Sequence, residues 1–502
     1  MKNLLLLPLL LLAGLLSAPL RASLPLQTPD ERLLKGTWPA RWICDGASSP
    51  FDYGVYRFRK TFTLEDKPER FVVSISADNR YRLYVNGTEA CWGPARGDLN
   101  RWYYETVDIA PARQAPSPRH PLHVRGDEAD GPAERGPMEQ AFTGRQAAEI
   151  ADEMMDYRGC GMSVLEMSHR SSMYQQIIDD AEATLRRLLS IPDNYRVLFL
   201  QGGATLQFAG IPMNLMRRGR AGYVVTGNFA NKAYKEAAKY GEAVLLASSE
   251  DTNFDRIPDM ADINARIAAE AAGDGLDYVY ICQNNTIFGT MYHELPNCGD
   301  VPLVADVSSC FLSQPLDVER YGLIYAGAQK NAGAAGVTVV IVRDDLIADG
   351  PAFVQTPQYM DLKTQAAKGS MLNTPNTFGI YVCGKVFRWV EKTGGLAAMA
   401  ERNWAKANLL YDLLEHSELF HSTTQADSRS IANVTFRTGD AELDAAFVAG
   451  AAGHQIQNVK GHRLVGGMRA SVYNAVTMED VQALATYMKD FEAQHSLSPR
   501  SN

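Results

Sequence analysis

The sequence predicts an α/β fold: a mostly parallel sheet, followed by a small C-terminal α+β domain and preceded by an incomplete β-sandwich. Three observations predict it. From about residue 138, short apolar runs alternate with longer stretches of helical period, the pattern of strands covered on both faces. Late in the chain, helical stretches at 378–391 and 478–495 flank a strand-like run at 432–437. Before residue 110, partial two-residue alternation and turn signals replace the helical period.

Taken in order, residues 1–22 carry Lys2, an apolar run at 4–16 and small residues including Ser17 and Ala18. That is the form of a secretory signal, too short for a comfortable membrane span. Residues 23–110 read as a partial sandwich. Phe71-Val72-Val73-Ser74-Ile75 and Tyr81-Arg82-Leu83-Tyr84-Val85 alternate, and Asn86-Gly87 marks a hairpin because both residues tolerate positive φ. Aromatic residues at 38, 42, 53, 56 and 102–104 supply bulk for its core. Residues 111–137 are rich in Pro, Arg, Gly and Asp, lack apolar periodicity and read as a linker. The large α/β domain is expected over 138–390, with apolar runs at 197–200, 223–225, 244–246, 278–281, 303–305, 324–326 and 337–342. The small domain is expected over 391–502.

A chain of 502 residues suggests about three domains. Its 46% hydrophobic and 21% charged content is that of a globular protein. A net charge of −9 weighs against nucleic acid as a partner. Seven cysteines, with no CxxC pair and no ligand-like spacing to histidine, weigh against a metal site and a disulfide framework.

The sharpest chemical signal is Gly327-Ala328-Gln329-Lys330-Asn331 after a β-like run. A lysine among small residues at a strand end can enter a cleft, where partial burial favours the free amine needed for imine chemistry. Alone it would read as a solvated surface charge. Asp306 ends the apolar run 301–305 and can pair with a protonated ring nitrogen, or merely cap a turn. Gln201-Gly202-Gly203-Ala204-Thr205 follows one strand and opens a helical stretch at 206–216. Small residues there let backbone N–H groups approach a phosphate.

These residues, with several other stretches in the same order, resemble the phosphoserine aminotransferases, a class-V family dependent on pyridoxal phosphate, over about 153–493. The stretches are Gly161-Met162-Ser163 through Ser168-His169-Arg170, Asp306-Val307-Ser308-Ser309, Tyr325 through Asn331, Asn373-Thr374-Pro375, and Lys460-Gly461-His462-Arg463 through Arg469-Ala470-Ser471. The resemblance implies fold type I of the pyridoxal-phosphate transferases. It implies that Lys330 is the Schiff-base lysine and proton carrier and that Asp306 holds the pyridine nitrogen. Ala204 and Thr205 would meet the cofactor phosphate, with Gln329 and, from a neighbouring subunit, Asn373 and Thr374. Phe229 would take the place of the aromatic ring, often Trp, on the pyridine face, and Thr286 would bond the phenolic oxygen. Arg469 would clamp the α-carboxylate, a planar bidentate donor suiting it. His169, Arg170, His462 and Arg463 would receive the distal phosphate or carboxylate of phosphoserine, 3-phosphohydroxypyruvate, glutamate or 2-oxoglutarate. A site shared between chains implies a homodimer, and the chemistry a cytoplasmic enzyme of serine, and potentially pyridoxine, synthesis.

Elsewhere the sequence departs from that pattern. Trp38-Pro39-Ala40-Arg41-Trp42-Ile43, Tyr56 through Phe62 and Tyr84-Val85-Asn86-Gly87 resemble the N-terminal sandwich of exported bacterial α-L-rhamnosidases, with no glycosidase domain after it. Where the aminotransferases place an Asn-x-x-Gly-Pro-Ala substrate segment, only Gly136-Pro137 matches, so no ligand is assigned there. Two joined reading frames would give this arrangement. A competing expectation is an exported carbohydrate-binding protein with an inactive aminotransferase-like region. Another is a cysteine desulfurase using Cys160, Cys282 or Cys310, none of which has a cationic neighbour in sequence.

Overall fold

The computed structural model describes residues 57–62, 71–75, 81–85, 88–93, 105–108, 122–127 and 144–496. The signal-like segment 1–22, the aromatics at 38, 42, 53, 56 and 102–104, the Asn86-Gly87 turn and the 133–139 stretch lie outside the described residues. The chain divides into two units, Met1–Glu134 and Arg135–Asn502.

In the first unit, β1 (Arg57–Phe62), β3 (Tyr81–Val85), β4 (Thr88–Gly93) and β6 (Leu122–Asp127) form an antiparallel sheet of order β1-β6-β3-β4. A separate antiparallel pair joins β2 (Val72–Ile75) to β5 (Glu105–Asp108). Strand β6 lies inside the stretch that composition reads as linker. The β structure therefore continues past residue 110, with β6 hydrogen-bonded between β1 and β3. Its alternation is only Leu122 and Val124, hidden among the polar residues and glycine around it.

In the second unit a seven-stranded sheet has the order β7-β15-β14-β13-β10-β8-β9. The strands are β7 (Tyr195–Leu200), β8 (Arg220–Val225), β9 (Glu242–Ser248), β10 (Val279–Cys282), β13 (Leu303–Asp306), β14 (Leu323–Gly327) and β15 (Thr338–Arg343). Only β15 runs against its neighbours. The central strands β10, β13 and β14 are buried along their whole length. That is why they read as continuous apolar runs without alternation.

Alternate residues of each strand face opposite layers. Val197, Phe199, Ile281, Ala305, Ile324 and Ile341 join a core with the helices Ser172–Leu189, Met260–Ala272 and Thr377–Lys392. Leu198, Tyr223, Tyr280, Val304, Tyr325 and Val340 join a second core with the helices Gly203–Leu215 and Asn228–Ala237. A two-stranded hairpin, β11 (Asn284–Asn285) with β12 (Thr290–Met291), follows β10.

The C-terminal part packs the helices Gly395–His416, Ala441–Gly453 and Met478–Ser496 on a three-stranded antiparallel sheet. Its strands are β16 (His421–Ser422), β17 (Asn433–Arg437) and β18 (Met468–Ser471). Phe420, Phe436, Phe447, Tyr487 and Phe491 dominate its core. The mostly parallel large sheet and the smaller α+β part are the architecture that the sequence predicts. Among the described residues no helix is long and apolar enough to cross a membrane.

Candidate active site

In an open parallel sheet, ligands bind beyond the carboxyl ends of the strands, where the loops diverge. Asp306 is the last residue of β13, and Lys330 follows β14, its neighbour. Asp306 is buried, and its Oδ1 accepts from Ser308 N at 2.9 Å. Ser308 Oγ in turn accepts from Gly327 N at 3.0 Å, which ties the two strand ends together. Among the described residues, Asp306 Oδ2 has no hydrogen-bond partner. A buried carboxylate with one open oxygen calls for a cationic donor.

Lys330 Nζ donates to Thr286 Oγ1 at 2.7 Å and lies 5.8 Å from the centre of the Phe229 ring. The local sequence explains this meeting. Asn285 Nδ2 donates to Thr226 Oγ1 and to Thr290 Oγ1, both at 3.0 Å, so the hairpin after β10 is pinned to the end of β8. Gly227 lies between them. A Cβ there would come 2.6 Å from Asn285 Oδ1, so only glycine permits the approach. The helix Asn228–Ala237 starts at that point and presents Phe229 from its first turn.

The helix Gly203–Leu215 also points its N-terminus at this end of the sheet, directly after β7. Gly202 adopts φ 94°, a region that disfavours side chains, and a Cβ on it would collide with Leu206. No side chain caps this helix, so the first-turn N–H groups beside Ala204 and Thr205 are free to meet an anion, aided by the helix dipole.

A cationic cluster lies close by. Partial burial, then Arg469, Arg463 and Lys232, all hold the His462 imidazole below the usual histidine range. Its Nδ1 accepts from Leu464 N at 3.2 Å, which leaves Nε2 to carry the proton of the neutral ring and to donate outward. Arg469 stands on β18, with Nε donating to Ser471 Oγ at 3.1 Å. Lys232 Nζ is 5.6 Å from the centre of the same Phe229 ring that Lys330 faces. Sequence reasoning missed Lys232, although a spacing of three residues from Phe229 puts both on one helix face. Ser308 and Asn285 were missed too. Only the Asp-x-Ser spacing of an Asx turn pointed to Ser308.

The structure therefore brings together Lys330, Thr286 and Phe229, places Asp306 beside them, and gathers His462, Arg463 and Arg469 on one loop and strand. Gln329, Asn373 and Thr374 are exposed, with the Thr374 carbonyl accepting from Gln201 Nε2 of the same chain at 3.2 Å. His169 and Arg170 stand before the helix Ser172–Leu189. Among the described residues no contact joins them to Lys330, Asp306 or Phe229 of their own chain. Neither buried cysteine near this site is primed as a nucleophile. Cys282 and Cys310 are buried, which drives the Cys282 thiol far up and the Cys310 thiol up to about 12. Asp306 raises both thiols further and Lys330 opposes it. Cys160 is exposed, with its thiol turned to the Met162 carbonyl.

Comparison with known proteins decides the family. The family model Aminotransferase class-V matches residues 141–484. A phosphoserine aminotransferase of Lactiplantibacillus plantarum is 49% identical over 348 residues, covering 69% of this chain and 94% of that protein. The chain belongs to the phosphoserine aminotransferase family. A relative in Aromatoleum aromaticum is 50% identical, again covering 69% of this chain and 94% of the relative. The solved phosphoserine aminotransferase of Bacillus circulans subsp. alkalophilus superimposes with a TM-score of 0.67 at 41% identity, covering 70% of this chain and 96% of that one. The pyridoxal-phosphate-bound enzyme of Trichomonas vaginalis gives 0.65 at 35% identity, over 70% and 97%. The chain is a pyridoxal-phosphate-dependent transaminase of fold type I. Its residues fit that cofactor: a lysine amine on a threonine hydroxyl, a buried carboxylate with an open oxygen, and an uncapped helix N-terminus for the phosphate.

Proposed function

We propose that the chain exchanges an amino group between L-glutamate and 3-phosphohydroxypyruvate, giving O-phospho-L-serine and 2-oxoglutarate, as a step of L-serine synthesis. The observation that carries this reading is Lys330 Nζ, 2.7 Å from Thr286 Oγ1 and beside the strand end that bears Asp306. When bound, the cofactor supplies an aldehyde for amine exchange and a ring that withdraws electrons from the substrate α-carbon.

The chain's own residues do the rest. Asp306 Oδ2 keeps a proton on the ring nitrogen, and burial strengthens that interaction. The N–H groups at Ala204 and Thr205, with the Gln329 side chain, hold the phosphate. Phe229 would pack against the cofactor ring, and Thr286 would hold its phenolic oxygen. Lys330 Nζ, held by Thr286 on the Phe229 side, takes the proton from the substrate α-carbon and would deliver it to the cofactor's former aldehyde carbon, the reverse transfer serving the second half-reaction. Arg469 binds the α-carboxylate in a bidentate fork. His462 Nε2 and Arg463 donate to the distal phosphate or carboxylate, so one pocket accepts both substrate pairs.

His169, Arg170, Asn373 and Thr374 complete the site from a second copy, which makes the enzyme a homodimer. Support comes from the segment before the helix Ser172–Leu189. Among the described residues it brings neither His169 nor Arg170 into contact with Lys330 of its own chain, and it exposes Met155 (83%) and Leu165 (50%), apolar surface that a partner would cover. Phosphorylated substrates support a cytoplasmic setting for this unit.

The test is direct. Purified protein loaded with pyridoxal phosphate is expected to show a visible absorption band that borohydride bleaches. It should form 2-oxoglutarate from glutamate beyond one equivalent per site only when 3-phosphohydroxypyruvate is present, and Lys330→Ala should abolish or shift the band and lose the turnover. A colourless protein with no turnover, retained instead on a sugar matrix, would overturn the reading.

A further inference from the structure

A buried polar cluster next to the reactive lysine has no part in the chemistry described above. Asn331, the residue after Lys330, is 1% exposed. Its Oδ1 accepts from Asn474 N at 2.9 Å, and its Nδ2 donates to Ser313 Oγ at 2.9 Å. Asn474 lies three residues past the end of β18, the strand that carries Arg469. Its side chain donates to the Leu312 carbonyl at 2.9 Å and accepts from Asn403 Nδ2 at 2.8 Å. Asn403 Nδ2 also reaches the Ser313 carbonyl at 3.0 Å.

Two further features stiffen the cluster. Lys406, buried at 3% exposure, donates to the carbonyls of Tyr473 at 2.7 Å and Val476 at 2.9 Å, on either side of Asn474. Leu312 sits at φ 59°, a conformation its side chain disfavours, and the Asn474 amide holds its carbonyl there. An exposed loop needs none of this. Buried amides that lose a partner are strongly penalised, and both ends of the Asn331 and Asn474 side chains are paired, which fixes those two side chains, while Asn403 Oδ1 is left without a partner.

We propose that Asn331 is a positioning residue that fixes Lys330 relative to Arg469, by tying the lysine's loop to the turn that follows the arginine's strand. Lys330 must reach the substrate α-carbon while Arg469 holds the adjoining carboxylate, so an error in their spacing is an error in the reaction geometry. The C-terminal sheet is thereby locked to the lysine loop, and substrate alignment does not depend on a hinge at this contact. The inference rests on the proposed roles of Lys330 and Arg469.

The test uses the full-length holoenzyme and three readouts: the pH titration of the cofactor's visible band, KM for glutamate, and kcat. Asn331→Ala removes both bonds. It is expected to raise KM for glutamate about tenfold, to lower kcat and to shift the pH midpoint of the visible band. Asn331→Asp keeps the acceptor for the Asn474 N–H. It is expected to keep KM within about twofold of wild type, while its charge raises the band's midpoint. The proposal is overturned if Asn331→Ala stays folded with KM and band unchanged, or if Asn331→Asp loses substrate affinity as Ala does. If Asn331→Ala does not fold, Asn331→Ser, which leaves less empty volume and still cannot span both partners, takes its place with the same expected and overturning results. Failure of the functional reading is separable, because there the wild-type holoenzyme itself would show no turnover.

Discussion

Asp306, Thr286 and Lys330 stand at the ends of strands or in a pinned hairpin, and each is fixed by hydrogen bonds within one chain. His462 and Arg463 occupy a loop, half-buried and exposed respectively, and His169 and Arg170 precede a helix and, among the described residues, make no contact with their own lysine. In the proposed reaction the first group holds a cofactor in one orientation through every turnover. The second, in the same proposal, accepts two distal anions of different shape, a phosphate and a carboxylate. Buried, pinned groups give geometry, and exposed cations give tolerance. The contrast predicts that damage to the first group destroys turnover, whereas damage to the second is graded and substrate-dependent.

Lys330→Ala is the largest expected effect, a loss of about 10⁴-fold in kcat, measured by 2-oxoglutarate formation at saturating cofactor. A residual rate within tenfold of wild type would place the proton transfer on another group. Asp306→Asn comes next. It keeps the shape and removes the charge opposite the ring nitrogen, and it should lower kcat by about 10²- to 10³-fold. KM for the two keto acids should change little, since Asp306 touches neither carboxylate. A larger change in KM than in kcat would mean that Asp306 acts on substrate binding.

The same contrast explains what could be read from sequence. The central strands were legible because burial on both faces leaves only apolar residues until Asp306, where a charge at the end of such a run stands out. The Gly202-Gly203 turn was legible because only glycine suits its backbone. Strand β6 was hidden, since polar residues and glycine outweigh its two apolar side chains. Lys232 was hidden because nothing in a single sequence marks which exposed lysine faces a cleft. The Asn331 cluster unites residues from 312 to 476, and sequence spacing carries no trace of a contact so distant.

Arg463→Gln tests the second group. Loss of one charge-assisted bond to the distal anion should raise KM for 3-phosphohydroxypyruvate by about 10- to 100-fold with kcat nearly kept. KM for glutamate should rise less, because a carboxylate carries less charge than a phosphate. Equal loss for both substrates, or a fall in kcat alone, would break the division between the two groups.

The smallest effect concerns the proton on His462. In the free enzyme partial burial, Arg469, Arg463 and Lys232 all disfavour its charged form, and the Leu464 N–H bond to Nδ1 does the same. A distal anion seated among these cations cancels their field and raises the midpoint. The occupied site then holds the proton more tightly than the free one. Binding must therefore strengthen as pH falls through the window between the two midpoints, which begins below the ordinary histidine value. Glutarate is a suitable probe, because it has two carboxylates and no amino or keto group to react, and a titration of glutarate alone corrects for its own protonation. Following the His462 ring by NMR, with His462→Gln to assign the signal, should show an upward shift on adding glutarate. Lys232→Met should raise the midpoint of the free enzyme and shrink the shift. A midpoint that ignores glutarate would place the distal anion elsewhere and remove His462 from the substrate site.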